Sequence, residues 1–185
     1  VFRSLAPGFL LAAPTLQDPN FVRSVVLLVR HTPQGAMGMI INRPGPRRLG
    51  ELLQGAGIDV GGHVLDGLPV CQGGPVAGES GWVVYQGPDP RGESFETVGD
   101  VRVTGSMEVF RDLMTRDRAD RVLFLLGYAG WGAGQLDAET EAGVWVPIPM
   151  SERILFDTPF PQRWRAAFLS VGIDPDLWTF QTGEG

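Results

Sequence analysis

Apolar positions along this chain gather in short continuous runs. Residues 9–13, 25–30, 37–41, 82–85, 101–104, 121–126 and 144–148 are rich in branched and aromatic side chains and read as strands. Several runs are unbroken rather than alternating. That pattern suits strands covered on both faces, by helices packed on a sheet or by closure into a barrel. Helices are fewer and better punctuated. Ser106 predicts an N-cap for a helix over residues 107–114, with Glu108 placed against the positive end of its dipole. Thr158 before Pro159 predicts another start, after which Phe160, Trp164, Ala167, Phe168 and Val171 recur at helical spacing until Gly172, a stripe that reads as core. Asp174 before Pro175 caps a last short turn carrying Trp178. Residues 55–67 and 86–96, rich in Gly, Pro and Asp, read as surface loops.

Composition narrows the classes. No repeat or long polar linker divides the 185 residues, and 43% of them are apolar, so residues 1–185 are expected to form a single domain with a sizeable core. All 15 positive charges are arginine, against 21 acidic residues. With no lysine there is no Schiff-base lysine and no P-loop lysine, and a net charge of -6 attracts neither nucleic acid nor an anionic membrane. Arg43, Arg47 and Arg48 are the nearest thing to a basic patch. Cys71 is the one cysteine, which rules out an intramolecular disulfide. Two histidines and scattered carboxylates supply a zinc site poorly, so no metal and no cofactor are expected, and the natural compartment is the cytoplasm. The apolar stretch at residues 9–16 is far short of the ~20 residues needed to span a bilayer and reads as a buried first strand.

Five blocks carry a family signature in order: FLLAAPTLQDPNFVRSVVLLVRH at residues 9–31, GAMGMIINRP at 35–44, GGPV at 73–76, GYAGWGAGQL at 127–136 and ILFDTPFPQRW at 154–164. In these the chain resembles the AlgH/YqgE family of bacterial proteins over nearly its whole length. The resemblance implies an α+β fold in a single compact domain, with a branched, mostly antiparallel sheet that includes a small barrel-like portion and is surrounded by helices. It also implies a link to transcriptional regulation, without a DNA-binding helix-turn-helix and without an established reaction. Two positions depart from the family pattern. Tyr85 stands where a histidine is common, and Gly143 where an asparagine is frequent, so a mechanism relying on that histidine as a proton carrier does not transfer.

Candidate chemistry concentrates in turns. Gly127, Gly130, Gly132 and Gly134 imply a shaped loop after a strand and before an acidic helix start, and free N–H groups at such a start suit an anion. Asp137 and Glu139 already answer that dipole and repel phosphate, and no Lys-Ser/Thr pair follows, so a structural loop is favoured. Gly73, Gly74 and Pro75 form a second, rigid turn whose N–H groups can join the first in a cradle. Asn42 closes a strand, where its amide fixes a turn or holds a polar ligand. Arg43 offers a planar fork for carboxylate or phosphate. Ser24, Ser80 and Ser106 lack a nucleophile-elbow context. His63 reads as solvated, His31 as a satisfied strand-end residue, and Cys71 as a small buried hydrophobe. Asp137, Glu139 and Glu141 offer carboxylates, Asp137 and Glu141 on one helix face, yet a solvated acidic helix start explains the three better than a metal, because no other ligands follow.

The expectation is a cytosolic, non-enzymatic binding or regulatory module. Asn42, Arg43, Gly73, Gly74, Pro75, Gly127, Tyr128, Gly130, Trp131, Gly134 and Gln135 would line one site for a small ligand or protein partner, since loops on a rigid scaffold carry binding residues. Direct DNA binding and membrane association are not expected, and any effect on transcription is indirect. A rival reading is a hydrolase or transferase pairing Asp137 or Glu139 with His31, which requires hydrogen-bond reach in a cleft. A third is an interaction module using exposed Trp131, Trp145 or Trp178.

Overall fold

The computed structural model describes residues 1–58, 62–63, 65–116 and 121–178. The continuous runs at the start of the chain are strands whose side chains divide between two cores. Strand β1, Gly8–Ala12, pairs antiparallel with β2, Val25–Thr32, which pairs with β3, Gly35–Ile40. Phe9, Leu11, Val25, Leu27, Val29, Met39 and Ile41 enter one core, while Leu10, Ala12, Val26, Leu28 and Ile40 enter another on the opposite face. Period-two geometry sends neighbours to opposite faces, so a strand covered twice shows no polar alternation. Residues 8–12 are all buried, as the reading of the N-terminal stretch as a first strand requires.

The remaining elements follow in order. Pro44–Arg48 is β4, Leu49–Gly55 α1, Pro69–Gln72 β5, Val76–Gln86 β6, Phe95–Glu96 β7, Val101–Thr104 β8 and Met107–Met114 α2. Val122–Trp131 is β9, Gln135–Glu141 α3, Trp145–Ile148 β10 and Arg163–Ser170 α4, with a π-helical turn at Arg153–Asp157. Ser106 caps α2 as expected, its Oγ accepting from the Val109 N–H. Trp164, Ala167 and Phe168 of α4 pack in the first core, Leu136 of α3 packs in the second, and α1 and α2 cover a third core around Val83, Tyr85 and Phe124.

The strand order runs β10-β1-β2-β3-β9-β6-β8-β7, with β5 and β4 branching from β9. Every pairing is antiparallel except β5 with β9. The fold is therefore α+β with a branched, mostly antiparallel sheet and helices around it. The barrel-like portion is corrected: the order is open from β10 to β7 and no pairing among the described residues closes it. The branch lies on β9. Its first half holds β5 on one edge, at Phe124, Leu125 and Leu126, and its second half holds β3, at Ala129, Gly130 and Trp131.

Three local expectations change. The strand read at 121–126 continues through Gly127–Trp131, so that segment is not a loop; only residues 132–134 lie between β9 and α3. Residues 49–55 form a helix and 44–48 an edge strand, neither of which the apolar pattern announced. The loop read at 86–96 contains the end of β6 and the short β7. Of the loop read at 55–67, residues 59–61 and 64 lie outside the described residues.

Candidate functional site

The two glycine motifs meet at the fork. The Gly73 N–H donates to the Leu126 carbonyl at 2.8 Å, and the Gly73 carbonyl accepts from the Ile40 N–H at 2.8 Å, so one residue bridges the diverging strands. A Cβ on Gly73 would collide with the Gly127 carbonyl, and one on Gly74, at φ +154°, with the Tyr128 backbone. Gly127, at φ +76°, meets the Gly74 carbonyl in the same way. Glycine is required on both sides because two backbones pass with no room for side chains between them.

Beside this crossing opens a cleft of about 320 Å³. Arg43, Arg47, Gln72, Gly74, Pro75 and Gly78 line it, with Cys71 and Leu126 among its apolar surfaces. Arg43 is held in place: its Nη2 donates to the Val22 carbonyl at 2.8 Å and its Nη1 to Pro19 and Asn20 carbonyls, tying the 19–22 segment to the start of β4. Partial burial lowers the Arg43 pKa from its ordinary value, and Asp18 opposes that shift. Arg47 is exposed at the same edge. The Nη atoms of Arg43 are thus taken by backbone, and the exposed Arg47 brings a second positive charge to the cleft.

The other expected site residues serve the scaffold. The Asn42 Oδ1 accepts from the Val25 N–H at 2.9 Å, and its Nδ2 donates to the Arg23 carbonyl at 2.9 Å, so the amide completes the β2–β3 ladder and is spent on backbone. Gly127 is buried at the crossing, Tyr128 packs edge-on to Trp82 at 6.3 Å, and Gly130 pairs with Met37 across the β3–β9 ladder. Gly134 precedes α3 with φ +70°. Trp131 lies in the second core, 7% exposed. Thus Arg43, Gly74 and Pro75 line the cleft, Gly73 and Gly127 build its wall from behind, and Trp131, Gly134 and Gln135 lie at the α3 end of β9 instead.

That end has its own logic. The Glu139 Oε2 accepts from Trp131 Nε1 at 2.9 Å and from Trp145 Nε1 at 2.8 Å, while Oε1 accepts from Gln135 Nε2 at 2.9 Å. Gln135 turns its own Oε1 to the Gly132 N–H. The solvated acidic helix start is therefore corrected for Glu139, whose carboxylate satisfies two buried indoles. The interaction-module reading loses its carriers for the same reason: Trp131 and Trp145 are buried, and Trp178 is half-buried against Phe168.

His31 does come within reach of Asp137, with Nε2 at 3.4 Å from Oδ1. Its Nδ1, however, accepts from the Leu5 N–H at 2.9 Å, and the ring is 5% exposed beneath Phe2. A neutral imidazole has one acceptor nitrogen, and here that nitrogen is occupied. In this arrangement His31 has no lone pair for a substrate proton. Its role is to pin the N-terminal segment to β2. His63 is corrected from solvated: its Nδ1 accepts from the Leu65 N–H, and its Nε2 is sealed from solvent. Cys71 is buried, and burial pushes its thiol up to about 11, with Arg163 opposing.

The departures from the family pattern are absorbed locally. Tyr85 is fully buried with its hydroxyl 2.8 Å from Ser94 Oγ. Gly143, at φ +75°, sits just past α3, with its N–H on the Thr140 carbonyl and the Val144 N–H on the Glu139 carbonyl. This is a Schellman terminus, where glycine and asparagine are the two residues that accept the left-handed conformation. Sequence reasoning missed Arg163, 3% exposed in the first core. Among the described residues no group of three or more His, Cys, Asp and Glu side chains gathers to hold a metal, and no helix is long and apolar enough to cross a membrane.

Comparison with known proteins agrees with this architecture. A family model described as AlgH-like matches residues 9–176. A UPF0301 protein of Anaeromyxobacter sp. (strain Fw109-5) is 40% identical over 182 residues, covering 92% of this chain and 90% of the relative. One from Coxiella burnetii (strain Dugway 5J108-111) is 35% identical over 179 residues, covering 97% and 96%. The solution structure of the AlgH protein from Pseudomonas aeruginosa superposes with a TM-score of 0.77 at 34% identity, covering 100% of both chains. The crystal structure of protein DIP2367 from Corynebacterium diphtheriae gives a TM-score of 0.73 at 20% identity, over 94% of this chain and 91% of that one, and shares the fold.

Proposed function

This chain belongs to the AlgH-like (UPF0301) family, and from that premise we propose that it is a non-enzymatic, cytoplasmic binding module. Its ligand is a small, negatively charged polar molecule held in the cleft beside Arg43 and Arg47, and any effect on transcription passes through that ligand or a protein partner rather than through DNA. The reading is carried by one observation. Residues from three segments far apart in the chain, Arg43, then Gln72, Gly74 and Pro75, then Leu126, line a single open cleft that also carries Arg47. Such a concave site, with a few polar groups on a rigid frame, is the usual form of a ligand pocket. The net charge of -6 disfavours nucleic acid as the partner.

Gly78 provides the test, because it lines the cleft and a Cβ there meets open space. Gly78→Phe plugs the mouth without touching the glycine crossing, and Arg47→Glu reverses its charge. Native mass spectrometry of the full chain purified gently from its own cells is expected to find a retained small molecule that both variants lose. Retention by both variants, or turnover of a metabolite by the pure protein, defeats the proposal.

A further inference from the structure

A second cavity, of about 200 Å³, lies against the first half of β9 and is lined by Leu68, Val122, Phe124, Phe156, Phe160 and Arg163. The side chains that line it are apolar apart from one cation. Arg163, at the start of α4, is 3% exposed as a residue. Nε donates to the Thr158 carbonyl at 2.8 Å, Nη1 donates to the Ile41 carbonyl at 2.6 Å, and the group lies over the Phe160 ring at 4.1 Å. Nη2 meets no acceptor among the described residues and keeps the group's small remaining contact with solvent. No carboxylate among the described residues forms an ion pair with it, and the ionisable group that acts on its charge is the Cys71 thiol. Burial holds the Arg163 pKa down to about 10, and the guanidinium is charged at neutral pH.

A cation in such surroundings is costly unless an opposite charge meets it, because little water reaches it and carbonyl dipoles answer it only in part. An anion entering the cavity would find strong attraction across a poorly screened gap. The walls decide what kind. An inorganic anion would leave Phe156, Phe160, Val122 and Leu68 without contact, and a neutral apolar molecule would leave the charge unanswered. An apolar cavity of about 150 Å³ holds one benzene, so the volume here suits a single ring or a short branched chain bearing one acidic group.

We propose that this cavity is a second ligand site, for a monocarboxylate on a compact apolar body, with Arg163 receiving the carboxylate and Phe156 and Phe160 enclosing the body. The site does not depend on the reading of the Arg43 cleft, with which it shares no lining residue.

Benzoate tests it, with benzyl alcohol as the uncharged match of nearly the same shape. The readout is the arginine side-chain ¹H–¹⁵N spectrum of the full chain. Benzoate is expected to shift the Arg163 Nε–H resonance saturably and to leave that of Arg43 unmoved. Benzyl alcohol should bind about tenfold or more weakly, the share of a charge-assisted hydrogen bond. Arg163→Gln would cut backbone ties as well as the charge, so the informative variant is Leu68→Phe. It keeps Arg163 and fills the cavity, and its benzoate affinity should fall about tenfold or more by loss of space, with thermal unfolding close to wild type. An unsaturable response, equal binding of the alcohol, or undiminished benzoate binding in Leu68→Phe would each overturn the proposal. A shift at Arg43 alone would leave the cleft reading standing and remove this one.

Discussion

Removal of the Glu139 carboxylate is the sharpest probe of the end of β9. Its Oε2 accepts from both Trp131 and Trp145, whose rings are 7% and 2% exposed, and its Oε1 accepts from Gln135. Glu139→Ala leaves two buried indole N–H groups without an acceptor. Each such group costs about 1–3 kcal/mol when water does not replace the partner. Glu139 is itself only half-buried, so one N–H is expected to recover some solvent, and a net loss of about 3 kcal/mol follows. That is a substantial part of the roughly 5–15 kcal/mol by which domains are stable, and it corresponds to a fall in Tm of about 6–12 °C for a chain of this size. Glu139→Gln keeps an oxygen where Oε2 lies and loses the charge assistance and the exposed bond from Gln135, about 1–2 kcal/mol in all. Urea unfolding followed by far-ultraviolet circular dichroism gives both values, and an unchanged m-value would show that the same surface is exposed in each variant. If Glu139→Ala unfolds within about 0.5 kcal/mol of wild type, or if the glutamine variant is as damaged as the alanine one, the carboxylate is not the indoles' acceptor in solution.

Other positions separate the roles in the same way. Gly74→Ala drives a Cβ into the Tyr128 backbone at a positive φ and should cost about 3 kcal/mol or more, whereas Gly78→Ala, facing open space, should stay within about 0.5 kcal/mol; chemical denaturation compares them. Gly143→Asn should be tolerated within about 1 kcal/mol, while Gly143→Val, forced into the left-handed region, should cost about 1–2 kcal/mol in the same assay. Burial pushes the Cys71 thiol up to about 11 in the fold against an ordinary 9.0 and also blocks access to it, so at pH 8 native protein should be alkylated by iodoacetamide at least about a hundredfold more slowly than unfolded protein. The sign for stability follows: the unfolded chain loses this proton from about pH 9 and the folded chain only near 11, so the contribution is whole below 9 and falls between those values. Cys71→Ala should flatten that part of the profile, and an unchanged alkaline slope would show the thiol plays no part in it.

Much of the fold was legible because its signals are local. Strands β1, β2 and β3 appear as apolar runs since most of their residues face one core or another. Ser106 marks α2 through a hydroxyl that reaches an N–H three residues on. Gly172 and Asp174 end and begin their turns by the same short-range chemistry. The continuation of β9 through Gly127 was not legible, because glycine signals a loop unless a second backbone is known to press against it. Strand β4 was hidden by Pro44 and Pro46, which an edge strand tolerates and a central one does not.

The candidate site divides along the same line. The motif residues themselves were visible, but Arg43, Gly74 and Pro75 share a cleft while Trp131 and Gln135 attend Glu139, and no spacing distinguishes the two groups. Arg163 was hidden in the polar side of the FPQRW segment. The one hint was its place beside the apolar stripe of α4, a stripe that reads equally well with an arginine pointing outward.

The amino-acid order by itself determined most strand runs, the caps at Ser106 and Asp174, the family and the absence of lysine chemistry, because these depend on residues within a few positions of one another. Tertiary structure alone decided which glycines cross, which carboxylate holds two indoles, and where a guanidinium lies under a carbonyl 122 positions away in the chain. Contacts at such separation are set by how sheets branch and helices cover them, and burial then gives an ordinary arginine or glutamate a strength its neighbours in sequence do not reveal.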